Sequence, residues 1–189
     1  MPDEATTTSG TDIVPDRSLP AGAADIQIAA PGPEDAAEIH ALIAACPPLD
    51  TNSLYANLIQ CTHFADSCAV ARMGGKVVGW ISGHRPPEKD DTYFLWQVAV
   101  HPDARGKSLP KRMLGNILAR QAQGGISWLE TSITRTNDAS WGLFRSVSGW
   151  LSAPLREEPW FDRQTHFGGQ HDTEFLVTIG PFEAPAASG

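Results

Sequence analysis

"TYFLWQVAVHPDARGKSLPKRMLGNILARQA", residues 92–122, is the stretch on which the fold turns. Residues 92–100 are a nearly continuous apolar run, as expected of a central strand covered on both faces. From Pro110 onward, Met113, Leu114, Ile117 and Leu118 recur at helical spacing, so a helix with one apolar face follows. Between the two lies a turn in which Arg105, Lys107, Lys111 and Arg112 fall within eight residues of a chain whose net charge is -8. A strand, a basic turn and a helix start together suit an anion, because the first N–H groups of a helix are free and its dipole favours negative charge there.

Gly106-Lys107-Ser108 resembles the end of a nucleotide-binding P-loop. That motif needs a first glycine five residues before the second, and His101 stands there instead. The triphosphate cradle is therefore excluded. Two readings of the turn remain: a site for another anion, or a solvated basic face. On either reading Arg112 is the basic residue placed to point away.

Outward from this stretch, strands and helices alternate. "IQIAA" (26–30) reads as a short strand. "GPEDAAEIHALIAAC" (32–46) has Pro33 and two acidic residues at its start and Ile39, Leu42, Ile43 and Cys46 on one face, which predicts a helix. "TNSLYANLIQ" (51–60) predicts a shorter helix with Leu54, Leu58 and Ile59 in register. "SCAVARM" and "KVVGWISG" form a hairpin across Gly74-Gly75. After the central strand and its helix come a strand at "ISWLETSI", a helix at "NDASWGLFRSV" stopped near Gly149, a strand at "WLSAPL" and a last strand at "EFLVTIG". The order β-α-α-β-β-β-α-β-α-β-β is that of a mixed α/β fold on one sheet. Residues 1–24 and 184–189 read as disordered tails around a single domain at 25–183.

Bulk composition narrows the function. At 189 residues, 41% apolar and 19% charged, the chain is ordinary for a soluble domain. Its acidity argues against general nucleic-acid binding, which depends on attraction to phosphates. No apolar stretch is long enough to span a bilayer and no signal peptide is readable, so a cytoplasmic protein without a membrane partner is expected. Cys46, Cys61 and Cys68 form no CxxC pair, so neither a disulfide framework nor a zinc knuckle is expected, and the three are read as buried small apolar residues.

The element order and the turn together resemble the GNAT superfamily of N-acetyltransferases, with its acyl-CoA N-acyltransferase fold. The superfamily pattern [QR]-x-x-G-x-[GA] aligns with Arg105-Gly106-Lys107-Ser108-Leu109-Pro110, with serine and proline where glycine and glycine or alanine are usual. "TNDASWGLFRSVSGW" resembles a second superfamily motif through Asn137, Ser140, Leu143, Phe144, Gly149 and Trp150. The resemblance implies that acetyl-coenzyme A is the co-substrate. Its pantetheine arm and thioester would lie along Val98 and Val100. Its phosphates would meet Arg105, Gly106, Lys107, Ser108, Leu109, Pro110 and Lys111, with Asn137, Ser140 and Phe144 also against it. Pro110 has no N–H to offer and removes one hydrogen bond, on the order of 1 kcal/mol. Phe144 stands where many members carry the tyrosine that protonates the leaving thiolate.

"CPPLDTNSLYANL", "DTYFLWQVAVHPDARG" and "FGGQHDTEFLVTIGPF" are together similar to the diaminobutyrate acetyltransferases, over about Ile26 to Phe182. This narrower resemblance implies acetyl transfer to the 4-amino group of L-2,4-diaminobutyrate, a step of ectoine biosynthesis, by a homodimer and without a metal. It assigns Asp50 to a substrate ammonium and Tyr55 to a hydrogen bond, with a helix cap as the alternative for Asp50. Trp96 is a pocket wall or simply core packing. His171, Asp172 and Glu174 are substrate or dimer contacts, or a solvated turn. The base that deprotonates the amine is left open among Asp50, Glu130 and a water chain. Two other readings stay open, an acetyltransferase for a polyamine or a peptide N-terminus and an acyl-coenzyme A-binding module with weak catalysis.

Overall fold

Gly74 and Gly75 both take left-handed backbone, with φ of 58° and 82°. They form the tight turn that glycine allows without steric cost. This hairpin joins two of seven strands in a computed structural model that describes residues 25–121 and 124–183. The two predicted tails lie outside the described residues. The elements run β1 (Ile26–Ala29), α1 (Ala36–Ala44), α2 (Leu54–Gln60), β2 (Ala69–Met73), β3 (Lys76–His84), β4 (Thr92–Val100), α3 (Leu109–Gln121), β5 (Trp128–Thr134), α4 (Asp138–Leu151), β6 (Leu155–Phe161) and β7 (Glu174–Ile179). One sheet holds every strand in the order β1-β2-β3-β4-β5-β7-β6.

All neighbouring strands are antiparallel except β4 and β5. That parallel pairing is short: Thr92, Tyr93 and Phe94 meet Trp128, Leu129 and Glu130, and there it stops. Beyond Phe94 the two strands splay, which opens a wedge in the middle of the sheet. His101 donates to the Val78 carbonyl of β3. Alternation along the antiparallel ladder then turns the N–H and C=O groups of Val98 and Val100 the other way, into the wedge.

The sheet is covered by a separate core on each face. On one, α3 and α4 bury Leu109, Met113, Leu114, Ile117, Trp141, Phe144 and Val147 against strand residues including Val78, Ile81, Tyr93, Leu95 and Val177. On the other, Ile39, Leu42, Ile43 and Cys46 of α1 and its end pack with Val70, Val77, Trp80 and Ala99. Each fully buried Leu, Ile or Met contributes roughly 1.5–3 kcal/mol relative to exposure. All three cysteines are buried and free, and burial pushes the Cys61 and Cys68 thiols up to about 12 and about 11.

Two elements differ from their sequence reading. The helix expected to stop near Gly149 runs to Leu151, so the strand expected at 150–155 begins only at Leu155. Burial of Trp141, Phe144 and Val147 outweighs the cost of about 1 kcal/mol for a helical glycine. The stop is Ser152, whose left-handed backbone (φ 52°) returns its N–H to the carbonyls of Ser148 and Gly149. In α2 the buried face is also not the apolar one: Asn57 and Gln60 point inward, at 0% and 5% exposure, while Leu54 is exposed.

Candidate active site

Arg105 has extended backbone and Gly106 follows at φ 76° with open space around its Cα. The chain then turns through Ser108 at φ 52° into the first residue of α3. Arg112 N–H donates to the Ser108 carbonyl, so the N–H groups before it, Pro110 excepted, are those that a helix start leaves free. Arg105, Gly106, Lys107 and Ser108 are exposed, whereas Leu109 is buried and offers only its backbone. Lys111 donates to Ser146 of α4 at 3.1 Å. Arg112 reaches the Ile26 carbonyl of β1 at 3.3 Å, away from the turn, as its spacing suggests. The result is an exposed basic turn at the end of β4, beside the wedge.

Within the wedge the groups are not equivalent. The Val100 carbonyl accepts from Arg105 Nε at 3.4 Å and faces the Cys46 thiol at 3.5 Å. At the head of α4, Asn137 Oδ1 accepts from the Ser140 N–H at 3.1 Å, so the asparagine also caps the helix. Phe144 is 3% exposed and sits in the α3–α4 core. Its ring is therefore a core filler.

The opposite face carries a cavity of about 230 Å³ under α2, lined by Ala56, Ile59, Gln60, Phe64, Gly83, His84 and Trp96. A β-bulge places Trp96 there. The register against β3 runs Ser82↔Gln97 and then Gly83↔Leu95, which leaves Trp96 as the extra residue. Trp96 is 56% exposed, which rules out plain core packing. Next to it, Gln97 Nε2 donates to the Asp50 carbonyl at 2.9 Å and ties the loop before α2 to the strand. His84 lies between the rings of Phe64 and Phe94, and burial holds its imidazole below the ordinary value of 6.5.

The remaining sequence candidates are not among the residues that line this cavity. The Asp50 carboxylate is exposed and caps nothing; Ser53 is the N-cap of α2. Tyr55 is exposed on the first turn of α2, beside Ala56 of the lining. Glu130 is buried and its Oε1 accepts from Lys89 Nζ at 2.7 Å, so its charge is already engaged. Asp172 is paired with Arg163 at 2.7 Å, His171 packs on Phe167, and Glu174 opens β7 opposite Thr134. A line of aromatic contacts through His84, Phe94, Trp160, Phe161 and Phe167 connects the cavity to His171. Among the described residues, no three His, Cys, Asp or Glu side chains could hold a metal ion together, and no helix is long and apolar enough to cross a membrane.

Comparison with known proteins bears on the same segments. Residues 36–150 match the model of the acetyltransferase (GNAT) family. An L-2,4-diaminobutyric acid acetyltransferase of Methylotuvimicrobium alcaliphilum is 46% identical over 162 residues, covering 86% of this chain and 94% of that protein. The one from Bordetella parapertussis is 44% identical over 186 residues, 97% of each. The chain belongs to the diaminobutyrate acetyltransferases of the GNAT family.

Among solved structures, diaminobutyrate acetyltransferase EctA from Paenibacillus lautus, in complex with its substrate L-2,4-diaminobutyric acid and coenzyme A, superposes with a TM-score of 0.78 at 30% identity. It covers 88% of this chain and 99% of that one. Ard1 from Thermoplasma volcanium, at a TM-score of 0.64 and 14% identity, shares the fold. As a diaminobutyrate acetyltransferase the chain departs from the superfamily turn at Ser108 and Pro110. The backbone shows what each departure does. Ser108 adopts a left-handed φ that glycine takes freely, while Pro110 fits the first turn of α3, where a missing N–H costs the helix nothing.

The cavity residues Gln60, Phe64 and His84 were not legible as site residues. The one available signal was the pair Asn57 and Gln60, three apart on a short helix whose other residues are mostly apolar.

Proposed function

We propose that this chain transfers the acetyl group of acetyl-coenzyme A to the 4-amino group of L-2,4-diaminobutyrate, giving the N4-acetyl product used in ectoine biosynthesis. The observation that carries this reading is likeness along nearly the whole chain, 44% identity over 97% of its length, to a diaminobutyrate acetyltransferase. The geometry supports it, because a basic turn and a wedge of backbone groups border one face of the sheet and a small cavity indents the other.

The residues fit acetyl-coenzyme A. Arg105, Lys107 and the free N–H groups at the start of α3 suit its phosphates, and the Val98 N–H points into the wedge where the thioester oxygen would gain charge. The amine arrives as an ammonium and must lose a proton before its lone pair can form the C–N bond. As that bond forms, the C–S bond breaks and the thiolate leaves with the electron pair. Among the described residues His84 is the one ionisable side chain lining the cavity, and burial lowers its pKa and favours the neutral form, so in our reading it takes the proton. Glu130, engaged by Lys89, is left a supporting role. Trp96 forms a wall of the cavity, and Asp50 and Tyr55 meet the second ammonium from the rim. His171, Asp172 and Glu174 stay at the far end of the aromatic line as rim or dimer contacts. A cytoplasmic homodimer is part of the same reading, with the half-exposed Trp160 as a surface a second copy would cover.

The deciding experiment follows free thiol while the purified protein acts on acetyl-coenzyme A with L-2,4-diaminobutyrate, ornithine or spermidine, with the product identified by NMR. Acetylation at the 4-amino group, with far weaker turnover of the other two amines, is expected. A preference for spermidine would overturn the substrate assignment. Coenzyme A binding without thiol release would overturn the activity.

A further inference from the structure

The buried face of α2 is polar in a way that packing does not require. His40 Nδ1 lies 3.1 Å from Asn57 Oδ1, and Asn57 Nδ2 donates to Gln60 Oε1 at 3.1 Å. The Asn57 oxygen can only accept, so His40 carries its proton on Nδ1 and the chain of donors runs one way, from His40 through Asn57 to Gln60. That direction consumes the Gln60 oxygen. What remains is the Gln60 amide nitrogen, buried, without a hydrogen-bond partner among the described residues, on a residue that lines the cavity. Gln60 is 5% exposed, so water does not readily satisfy this donor, and an unpaired buried donor carries a desolvation penalty that a ligand atom can relieve.

The ligand atom must therefore be an acceptor. L-2,4-diaminobutyrate has only one that persists through the reaction. Each ammonium is a donor, and the lone pair of the reacting amine is used up in forming the C–N bond. The carboxylate is the acceptor that remains. The rest of the lining, Ala56, Ile59, Phe64 and Trp96, carries no charge, and His84 is neutral when the substrate arrives, so the neutral Gln60 amide meets the carboxylate without a competing ion pair.

We propose that Gln60 Nε2 donates to the carboxylate of the diamino-acid substrate and thereby selects α-carboxylated diamines over plain diamines. The proposal rests on the substrate reading above. It makes the polar face of α2, which the sequence reading left outside the apolar register of Leu54, Leu58 and Ile59, the specificity element of the acceptor site, with His40 and Asn57 as the residues that keep its nitrogen turned to the cavity.

The test compares L-2,4-diaminobutyrate with 1,3-diaminopropane, which keeps both amines and lacks the carboxylate, each measured as substrate and as competitor. Wild type, Gln60→Leu and Gln60→Met are used as full-length proteins. A hydrogen bond to a charged group is worth roughly 10- to 100-fold in affinity. Both variants should therefore raise the KM for diaminobutyrate by about that factor, while the constants for 1,3-diaminopropane and the KM for acetyl-coenzyme A stay within about threefold. Retained diaminopropane binding also shows that the variants are folded. An equal loss for both amines, or an unchanged KM for diaminobutyrate, overturns the role of Gln60. Failure of the wild type to acetylate diaminobutyrate overturns instead the reading on which it rests.

Discussion

The Tyr93 hydroxyl donates to the Ser67 carbonyl at 2.7 Å, across the place where Gly83 has no side chain. The hydrogen bond ties the start of β4 to the turn that follows Phe64, so it fixes one wall of the cavity from behind. Tyr93 is fully buried, and burial raises its hydroxyl well above the ordinary value of 10.0, which keeps it a donor at any working pH.

A Cβ on Gly83 would collide with the Tyr93 hydroxyl and approach the Phe94 carbonyl to 2.5 Å. One neighbour is backbone and the other is locked by its own hydrogen bond, so neither yields cheaply. Gly83→Ala should cost about 2 kcal/mol, a fall in Tm of about 4–8 °C by calorimetry, and should weaken amine turnover more than acetyl-coenzyme A binding. A Tm within a degree of wild type would show that the strand can shift at no cost.

Ser108 holds a left-handed backbone without being glycine. Such a conformation costs an L-residue roughly 1–2 kcal/mol. Ser108→Gly should therefore raise Tm by about 2–4 °C and leave the KM for acetyl-coenzyme A unchanged or lower. A drop in stability would mean that the serine hydroxyl contributes more than the strain it brings.

Arg105 is exposed beside the free N–H groups of α3, and among the described residues its side chain makes one hydrogen bond, a long one to the Val100 carbonyl. Its charge is thus available to a ligand. Arg105→Ala should raise the KM for acetyl-coenzyme A about tenfold, in line with the loss of one charge-assisted hydrogen bond, and leave that for the amine nearly unchanged. Equal changes in both constants, read from initial rates, would remove it from the phosphate site.

His84 sits between two phenylalanine rings with its imidazole held below 6.5. The unfolded chain takes up a proton at higher pH than the folded one does. Stability is therefore unaffected by this group above about 6.5 and falls as pH drops below that value towards the folded-state pKa. His84→Gln should flatten the decline of Tm between about pH 7 and 5 and, if His84 takes the amine proton, lower kcat about 100-fold or more. A variant with wild-type kcat would transfer that role to solvent.

The sequence and the structure agree where one rule acts alone. The apolar run at 92–100 is β4 residue for residue, and Ile39, Leu42, Ile43 and Cys46 all face the core of α1 as their spacing requires. Disagreement comes where two rules compete. On α2, the hydrogen-bonded line from His40 to Gln60 holds polar residues inside while Ile59 lines a cavity, and periodicity alone reads the apolar residues as the buried ones. The bulge at Trp96 depends on how β3 registers against β4 and leaves no mark in either strand. The cavity draws Gln60, His84 and Trp96 from three separate segments, which only the fold brings together.

The brevity of the β4–β5 pairing has a pharmacological meaning. Three residue pairs hold the parallel strands, and past them β4 and β5 are no longer paired. On the proposed reading the donor lies along this unpaired stretch and the acceptor in the cavity under α2, so the two occupy separate places. A bisubstrate inhibitor joining a diamine to a pantetheine arm must be thin and unbranched at its junction, since it would have to thread a slit between two strands. The same separation lets the amine side be redesigned for a new acceptor while the coenzyme side is kept as it is.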